Sequence, residues 1–202
     1  MTAELRIAPA RAPASLDARS DEDLMVASAA DSREAFELVV ARYLPRVTSY
    51  CAKLVRDPVL AQELAQDAML ALWRTRRDYR PERPLRVLVF TIALNLCRNH
   101  ARSWRRRLRW LGFAADEPDA LDALPAPDGS HLDQLLDHER RRRVRAALDR
   151  LPARAREVLL LRFEQDLSYA DIGAIMRVRE VTARSQVFHA LRKLERALEE
   201  DV

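Results

Sequence analysis

The stretch from Leu151 to Leu198 constrains the fold of this chain more than any other part of it. Its apolar residues recur at the helical period in three segments, and short polar turns separate these segments. Ser168 opens the second segment with Asp171 three residues later, which is the pattern of a capping box. The turn at 177–179 is short, and a third helix is predicted from Glu180. Two helices joined by so tight a turn predict a helix-turn-helix.

The last of these helices has one apolar face and one polar face. Hydroxyl, imidazole and cationic side chains on the polar face can donate to phosphates and to the edges of bases. This arrangement is typical of a recognition helix in the major groove of DNA. A small helical bundle with a solvated basic face is the alternative. The candidate DNA contacts of this helix are Thr182, Arg184, Ser185, Gln186, His189, Arg192 and Lys193.

The whole chain is predicted to be all-α. Only 3 of its 202 residues are Gly and 49% are hydrophobic, with Ala, Leu, Arg and Glu abundant, which favours helix over sheet. This hydrophobic fraction is enough for two small cores. No segment resembles a signal peptide or a membrane span, and the chain has 2 cysteines. We therefore expect a protein of a reducing cytoplasm, without membrane insertion.

The charges form three blocks, although the formal net charge is only +4. Residues 98–109 hold six arginines and no acid, whereas residues 110–139 hold eight acids and no Lys or Arg. The residues from 140 onward are again mainly basic. Two basic modules around an acidic connector fit a protein that holds nucleic acid at two points. A GC-rich genome also favours Arg over Lys, so composition alone does not decide.

Composition divides the chain into four parts. We expect a disordered tail over 1–19, a helical domain over 20–111, a flexible acidic linker over 112–134 and the helix-turn-helix domain over 135–202. Within the first domain Ser20 and Asp57 are predicted helix caps. Pro45 predicts a kink or a restart in the long helix that contains it.

Two helices of the first domain have polar faces that could bind a partner. The helix after Asp57 has an outer face of Gln62, Glu63, Gln66 and Asp67, for which a solvated amphipathic face is the simplest interpretation. The helix that begins near Leu85 has Leu88, Ile92, Ala93 and Leu96 facing inward. Its outward strip favours nucleic-acid contact over solubility alone, because the run over 98–109 to which most of the strip belongs holds six arginines and no acid, with Trp104 inside it and Trp110 directly after it. The strip comprises Asn95, Arg98, Asn99, Arg102, Arg105 and Arg106.

These segments resemble the sigma factors of bacteria. AQELAQDAMLALW and PERPLRVLVFTIALNLCRNHARSWRRR resemble the second conserved region of that family. REVLLLR, LSY and HALRKL in the C-terminal stretch resemble the fourth conserved region. The likeness is to the short, extracytoplasmic-function (ECF) class, and it covers residues 20–111 and 140–198.

The resemblance implies a sigma factor that binds core RNA polymerase and directs promoter-specific initiation. It implies that Glu63, Gln66 and Asp67, with Gln62 on the same face, contact the largest polymerase subunit. The arginine strip would then melt and hold the start-proximal promoter element, and the helix-turn-helix would read the upstream element. The linker would thread through polymerase, and an anti-sigma factor is an expected partner.

The chain departs from the family pattern at several positions. Arg177 stands in the turn where family members commonly have Gly, and an Arg is tolerated there if its backbone avoids positive φ. Arg179 replaces a common Ser cap, which costs roughly 1 kcal/mol. Other departures are Pro84, Leu85, Leu88, Leu94, Asn99, Val181 and Gln186.

Two other functions are compatible with these residues. A sigma-derived adaptor, which binds polymerase or a regulator without reading promoters, fits the departures. A stand-alone helix-turn-helix regulator fits the C-terminal half only. An enzyme or a cofactor is not expected, because no Gly-rich phosphate loop or catalytic Ser/His/Asp set is found. Cys97 and His100 lie three apart without a second ligand pair, so we expect a packed thiol and a surface imidazole rather than a metal site.

Overall fold

The computed structural model describes residues 16–110 and 132–199, and these residues are helical without strands, as predicted. Residues 1–15 of the predicted tail and most of the predicted linker lie outside these residues. The end of the predicted disordered tail is described, and it forms a short 3-10 helix over Leu16–Ala18. None of the described helices combines the length and apolar character that crossing a bilayer requires. The α-helices are α1 (Asp21–Ala29), α2 (Arg33–Val55), α3 (Pro58–Arg74), α4 (Leu85–Trp110), α5 (Leu132–Arg150), α6 (Ala153–Leu159), α7 (Tyr169–Met176) and α8 (Glu180–Glu199).

Helices α1 to α4 form what we call the N-terminal domain, and local caps fix where most of them begin. The Ser20 hydroxyl accepts a hydrogen bond from the backbone N–H of Asp23 at 3.1 Å, which starts α1 as predicted. Asp57 caps α3 in the same way, and Pro58 occupies the first helical position. Helix α4 has a distant cap instead, since the N–H of Leu85 donates to the Glu22 carboxylate of α1 at 3.0 Å.

Helix α2 is continuous through Pro45, so the predicted restart is wrong. A proline inside a helix removes one backbone hydrogen bond and usually weakens that turn. Here the turns before and after Pro45 are both anchored in the core, because Val39 and Tyr43 are buried on one side and Val47 and Tyr50 on the other. Tertiary packing therefore keeps the helix intact where the local sequence opposes it.

The core of the N-terminal domain lies where α4 packs against α2 and α3. The rings of Tyr50 and Phe90 meet edge to face with centroids 5.5 Å apart. Beside them the Sγ atoms of Cys51 and Cys97 are 3.5 Å apart as free thiols, and the hydrogen bond between them raises the pKa of Cys97. The buried face of α4 is rotated from the predicted one, which placed Leu88, Ile92 and Leu96 inward. Those three are only partly buried. Ala93 is buried as predicted, together with Val89, Phe90, Leu94 and Cys97.

Helices α5 to α8 form what we call the C-terminal domain, which contains the predicted helix-turn-helix in α7 and α8. Helix α5 begins at Leu132, within the stretch predicted as linker. Helix α6 continues into a π-helical turn over Leu160–Glu164. The capping box of α7 is confirmed, because Asp171 N–H donates to Ser168 Oγ at 3.1 Å and Ser168 N–H donates to the Asp171 carboxylate at 3.3 Å.

The turn between α7 and α8 is tight. A Cβ atom on Gly173 would lie 2.9 Å from the carbonyl oxygen of Val178, so only glycine allows the turn to approach α7 this closely. Arg177 ends α7 in the left-handed conformation with φ 55°. An arginine is well tolerated in this turn only if its φ is negative, so the condition is not met. Its Cβ atom makes the positive φ strained. The turn thus has the left-handed geometry that glycine adopts readily, although an arginine occupies the position.

Replacing Arg177 with Gly is expected to stabilise the protein by about 1 kcal/mol, since relief of the left-handed strain exceeds the added entropy of the unfolded chain. Thermal unfolding followed by circular dichroism measures the change. Arg177→Ala is the matched control, because it removes the same charge but keeps the Cβ atom that causes the strain. An equal gain from Ala and Gly would contradict this explanation.

The two domains contact each other through a row of polar interactions. The Arg98 guanidinium donates to both carboxylate oxygens of Glu157, at 2.9 and 2.6 Å, and this raises the pKa of Arg98 above its ordinary value. Arg46 also donates to the side chain and to the backbone carbonyl of Gln165, both at 3.1 Å. We call the following four the interdomain ion pairs: Arg98–Glu157 (2.6 Å), Lys53–Glu164 (2.6 Å), Arg86–Asp171 (3.0 Å) and Arg56–Asp149 (3.1 Å).

Candidate nucleic-acid and protein interfaces

The outer face of α3 is exposed along its length. Its inner face is buried through Ala61, Leu64, Ala65, Ala68 and Leu72, which fixes the rotation of the helix. The four residues predicted to bind a partner therefore share the solvent side. They are Gln62, Glu63, Gln66 and Asp67.

Two exposed apolar side chains flank these polar residues and were missed from the sequence. Val59 is 65% exposed and Leu70 is 51% exposed, and with Glu63 and Gln66 they form one row at helical spacing. Within the described part of the chain, no basic residue forms an ion pair with Glu63 or Asp67. A face with unpaired acids between two apolar ends suits a partner that supplies both cations and apolar contacts.

The C-terminal half of α4 presents the arginine strip. Asn99, Arg102, Arg105 and Arg106 line an open recess of about 500 Å³. The guanidinium of Arg102 donates through Nη2 to the Asn99 side-chain oxygen at 2.7 Å and through Nε to the Arg98 backbone carbonyl at 3.4 Å. Cations around such a recess can hold phosphates. The recess therefore brings together four of the six residues predicted for this strip.

The other two predicted strip residues lie apart from the recess. Asn95 is half-buried, one helical turn before Asn99. Arg98 turns toward the C-terminal domain, where it pairs with Glu157 and has Met176 Sδ at 3.6 Å from its Nη2. Periodicity places all six residues on one side of α4 but does not show which of them a second domain covers.

The aromatic residues of this strip differ in exposure. Trp110 is 89% exposed and Trp104 is 41% exposed. An exposed indole among arginines offers a stacking surface for an unpaired base. The strip can therefore contact both the phosphates and the bases of single-stranded DNA.

The polar face of α8 is open to solvent. Ala183, Val187 and Ala190 are buried against the rest of the C-terminal domain, and this directs six of the seven predicted DNA contacts outward. Those six are Thr182, Arg184, Ser185, His189, Arg192 and Lys193. Gln186 differs, because it is half-buried and its Oε1 atom is buried without a hydrogen-bond partner.

Two exposed apolar residues on α8 were missed as candidate contacts. Phe188 is 57% exposed, with its ring 5.7 Å from that of His189 and 5.8 Å from the Arg192 guanidinium carbon. Val181 is 78% exposed near the start of the helix. Apolar side chains on a reading helix can contact the methyl group of thymine. The signal in the sequence was their spacing of seven residues, which places both on the same side of a helix.

Comparison with known proteins gives these faces a family context. The family model for sigma-70 region 2 matches residues 39–107, and the model for sigma-70 region 4 matches residues 141–194. RNA polymerase sigma factor CarQ of Myxococcus xanthus is 32% identical over 169 residues, which are 84% of this chain and 92% of that protein. The chain belongs to the ECF class of the sigma-70 family. This confirms the resemblance seen in the sequence.

Other relatives of this ECF sigma factor cover it equally well. The RNA polymerase sigma-H factor of Pseudomonas aeruginosa is 26% identical over 190 residues, which are 91% of this chain and 96% of that protein. The sigma factor RpoE of Bartonella quintana, solved in complex with the anti-sigma factor NepR, matches with a TM-score of 0.66 and 24% identity. That match covers 83% of this chain and 98% of the other, and it supports the fold.

The two family models also divide the candidate faces of this ECF sigma factor between them. The region 2 match contains the α3 face and the arginine strip as far as Arg107. The region 4 match contains the whole polar face of α8. Trp110 lies beyond the first match, so a role for it rests on its exposure alone.

Proposed function

We propose that this ECF sigma factor binds core RNA polymerase through the outer face of α3 and directs it to a small set of promoters. The arginine strip of α4 holds the start-proximal promoter element, and the polar face of α8 binds the upstream element. The observation that carries the proposal is that one chain has both sigma regions in order, each with its polar face exposed. The activity belongs in the bacterial cytoplasm, where polymerase works.

The chemistry of each face supports its role. Acids and apolar side chains on α3 favour a protein partner, because they would repel or fail to bind a phosphate backbone. The strip combines cations with exposed indoles, which suits DNA whose bases are unstacked. The face of α8 combines Arg184, Ser185 and His189 with exposed apolar groups, which suits the edges of paired bases in the major groove.

An anti-sigma factor is a further expected partner. The solved relative from Bartonella quintana is in complex with the anti-sigma factor NepR. By analogy, we propose that a regulator of this type holds the present chain until its promoters are needed.

Transcription reconstituted from purified components tests the proposed function. Core polymerase, the purified chain and fragmented DNA of the source genome are combined, and the 5′ ends of the transcripts are sequenced. We expect start sites that appear only when the chain is present and that share two upstream sequence elements. Polymerase binding without such transcripts would favour the adaptor, and operator binding without affinity for polymerase would favour the stand-alone regulator.

A further inference from the structure

The two cysteines of the chain meet in the core of the N-terminal domain. Cys51 lies on α2 and Cys97 on α4, and their Sγ atoms are 3.5 Å apart although the residues are 46 positions apart in the sequence. Cys51 is fully buried and Cys97 is 5% exposed. The sulfur atoms of a disulfide are about 2.0 Å apart, so a relative shift of about 1.5 Å brings this pair to bonding distance.

The hydrogen bond between the thiols makes them chemically unequal. Cys97 donates to the Cys51 sulfur, and this hydrogen bond lowers the pKa of Cys51 and raises the pKa of Cys97. The thiolate is the form of cysteine that attacks oxidants, so Cys51 is the nucleophile of the pair. A second thiol beside a low-pKa cysteine can displace the first oxidation product and form a disulfide. Cys97 occupies this second position.

A buried tyrosine hydroxyl lies beside the thiols without a partner. Tyr50 precedes Cys51 on α2, its side chain is fully buried, and its hydroxyl makes no hydrogen bond within the described part of the chain. Burial raises the pKa of Tyr50 well above its ordinary value, and Glu157 and the two cysteines act on the hydroxyl in the same direction. A buried polar group without a hydrogen bond is costly, so this hydroxyl favours a small polar guest next to the sulfur atoms.

We propose that Cys51 and Cys97 form a redox site that takes a hydroperoxide and is converted to a disulfide joining α2 to α4. The Cys51 thiolate attacks one peroxide oxygen, and the O–O bond breaks. The leaving oxygen accepts a hydrogen bond from the Tyr50 hydroxyl and takes up the proton that Cys51 released. Cys51 is then a sulfenic acid. The Cys97 sulfur attacks the Cys51 sulfur, the S–O bond breaks, and the departing hydroxide leaves as water with the Cys97 proton.

The reaction is balanced without any further reactant. Two thiols and one molecule of hydrogen peroxide give one disulfide and two molecules of water, and two electrons pass from the sulfur atoms to the peroxide. A thiol reductant reverses the change by disulfide exchange. Such a transient disulfide is compatible with a reducing cytoplasm. The inference does not depend on the proposed function, because it concerns the chain alone.

The disulfide makes the packing of α4 on α2 covalent. A crosslink between residues so far apart in the sequence restricts the unfolded chain and stabilises the folded one. It also protects the sulfur atoms, because a sulfenic acid without a neighbouring thiol can be oxidised irreversibly to the sulfinic and sulfonic acids. The pair therefore preserves the helix that carries the arginine strip when peroxide is present.

Treatment of the reduced full-length chain with hydrogen peroxide tests the site. The chain has only 2 cysteines, so the product can be assigned from the intact mass after alkylation of the remaining thiols in denaturant. We expect both thiols to disappear together, in a monomer whose mass is lower by two hydrogen atoms. Dithiothreitol should restore both thiols. The variants Cys51→Ala and Cys97→Ala are the controls, because each keeps one thiol and cannot form the internal disulfide.

Thermal unfolding of the same samples measures the stabilisation. The oxidised natural chain should unfold about 10 °C above the reduced chain, and peroxide should give neither single-cysteine variant such a gain. Thiols that stay intact in the folded chain, at a peroxide concentration that oxidises the chain unfolded in urea, would overturn the proposal, because buried structural cysteines are inert in this way. Separate sulfinic acids on the two residues would overturn it too. A disulfide that leaves the unfolding temperature unchanged or lower would refute the stabilising role.

The variant Tyr50→Phe tests the hydroxyl separately. The ring of Tyr50 packs edge to face against Phe90, and phenylalanine keeps this contact while it removes a hydroxyl that makes no hydrogen bond. The fold should therefore be kept, and both thiols should still be present. Disulfide formation with peroxide should be slower by about tenfold or more, because the leaving oxygen loses its hydrogen-bond donor. An unchanged rate would show that Tyr50 has no part in the reaction.

Discussion

Replacing both Glu63 and Asp67 with Lys is expected to reduce the affinity for core RNA polymerase by about a hundredfold or more. Both side chains are exposed at the centre of the α3 face, where Val59 and Leu70 flank them. Reversing two charges at the centre of an interface both removes attraction and adds repulsion. Competition with the natural chain for purified core enzyme measures the loss.

The fold is expected to survive this change. Neither acid has an ion pair within the described residues, and substitutions at exposed sites usually shift stability by less than about 0.5 kcal/mol. The control Glu37→Lys/Asp78→Lys makes the same charge change at exposed positions of the same domain outside the α3 face. Unchanged polymerase binding in a folded Glu63→Lys/Asp67→Lys variant would refute the assignment of this face.

Neutralising the recess of α4 has the second largest expected effect. The triple variant Arg102→Ala/Arg105→Ala/Arg106→Ala should lower the yield of start-site-specific transcript by roughly a hundredfold, because three phosphate contacts are lost together. The salt slope of DNA binding should become shallower by about 2 to 3. Affinity for core polymerase should not change, which separates this effect from that of the α3 variant.

The matched control for the triple variant is Arg33→Ala/Arg145→Ala/Arg154→Ala. It also removes three positive charges, but at exposed arginines that do not line the recess. Because bulk charge alone also attracts DNA, a small loss in the control is expected. A loss as large as that of the triple variant would show that the recess has no special role.

Local signals in the sequence predicted the positions of several helices. The Ser168–Asp171 capping box and the Asp57–Pro58 start of α3 could be read directly, because their hydrogen bonds join residues only a few positions apart. The faces of α3 and α8 followed from the helical period for the same reason. These features depend on neighbours along the chain rather than on the rest of the fold.

Features that depend on distant residues could not be predicted. Pro45 stays within a continuous helix because the core holds both of its sides, and the rotation of α4 is set by its packing against α2 and α3. The contacts that turn Arg98 toward Glu157 and Arg86 toward Asp171 join residues 59 and 85 positions apart. No spacing rule links residues so distant, so these contacts between the two domains have no signature in the sequence.

Arg177 shows a third reason why the sequence alone does not predict the structure. An arginine is well tolerated in this turn only if it avoids positive φ, but the turn needs a left-handed residue so that α8 can pack closely beside Gly173. Tertiary packing must therefore outweigh the roughly 1–2 kcal/mol that the left-handed conformation costs at this residue.

Helix α4 runs unbroken from the buried Leu85 to the exposed Trp110, over 26 residues and about 39 Å at the usual helical rise. No break or hinge in the helix therefore separates the arginines of the recess from the buried Phe90. The hydrophobic packing of the N-terminal half of α4 therefore fixes the direction in which the recess faces. One extra residue inserted after His100 would leave that packing intact but swing the arginines by about 100° around the axis. Buried residues thus determine which way the recess faces.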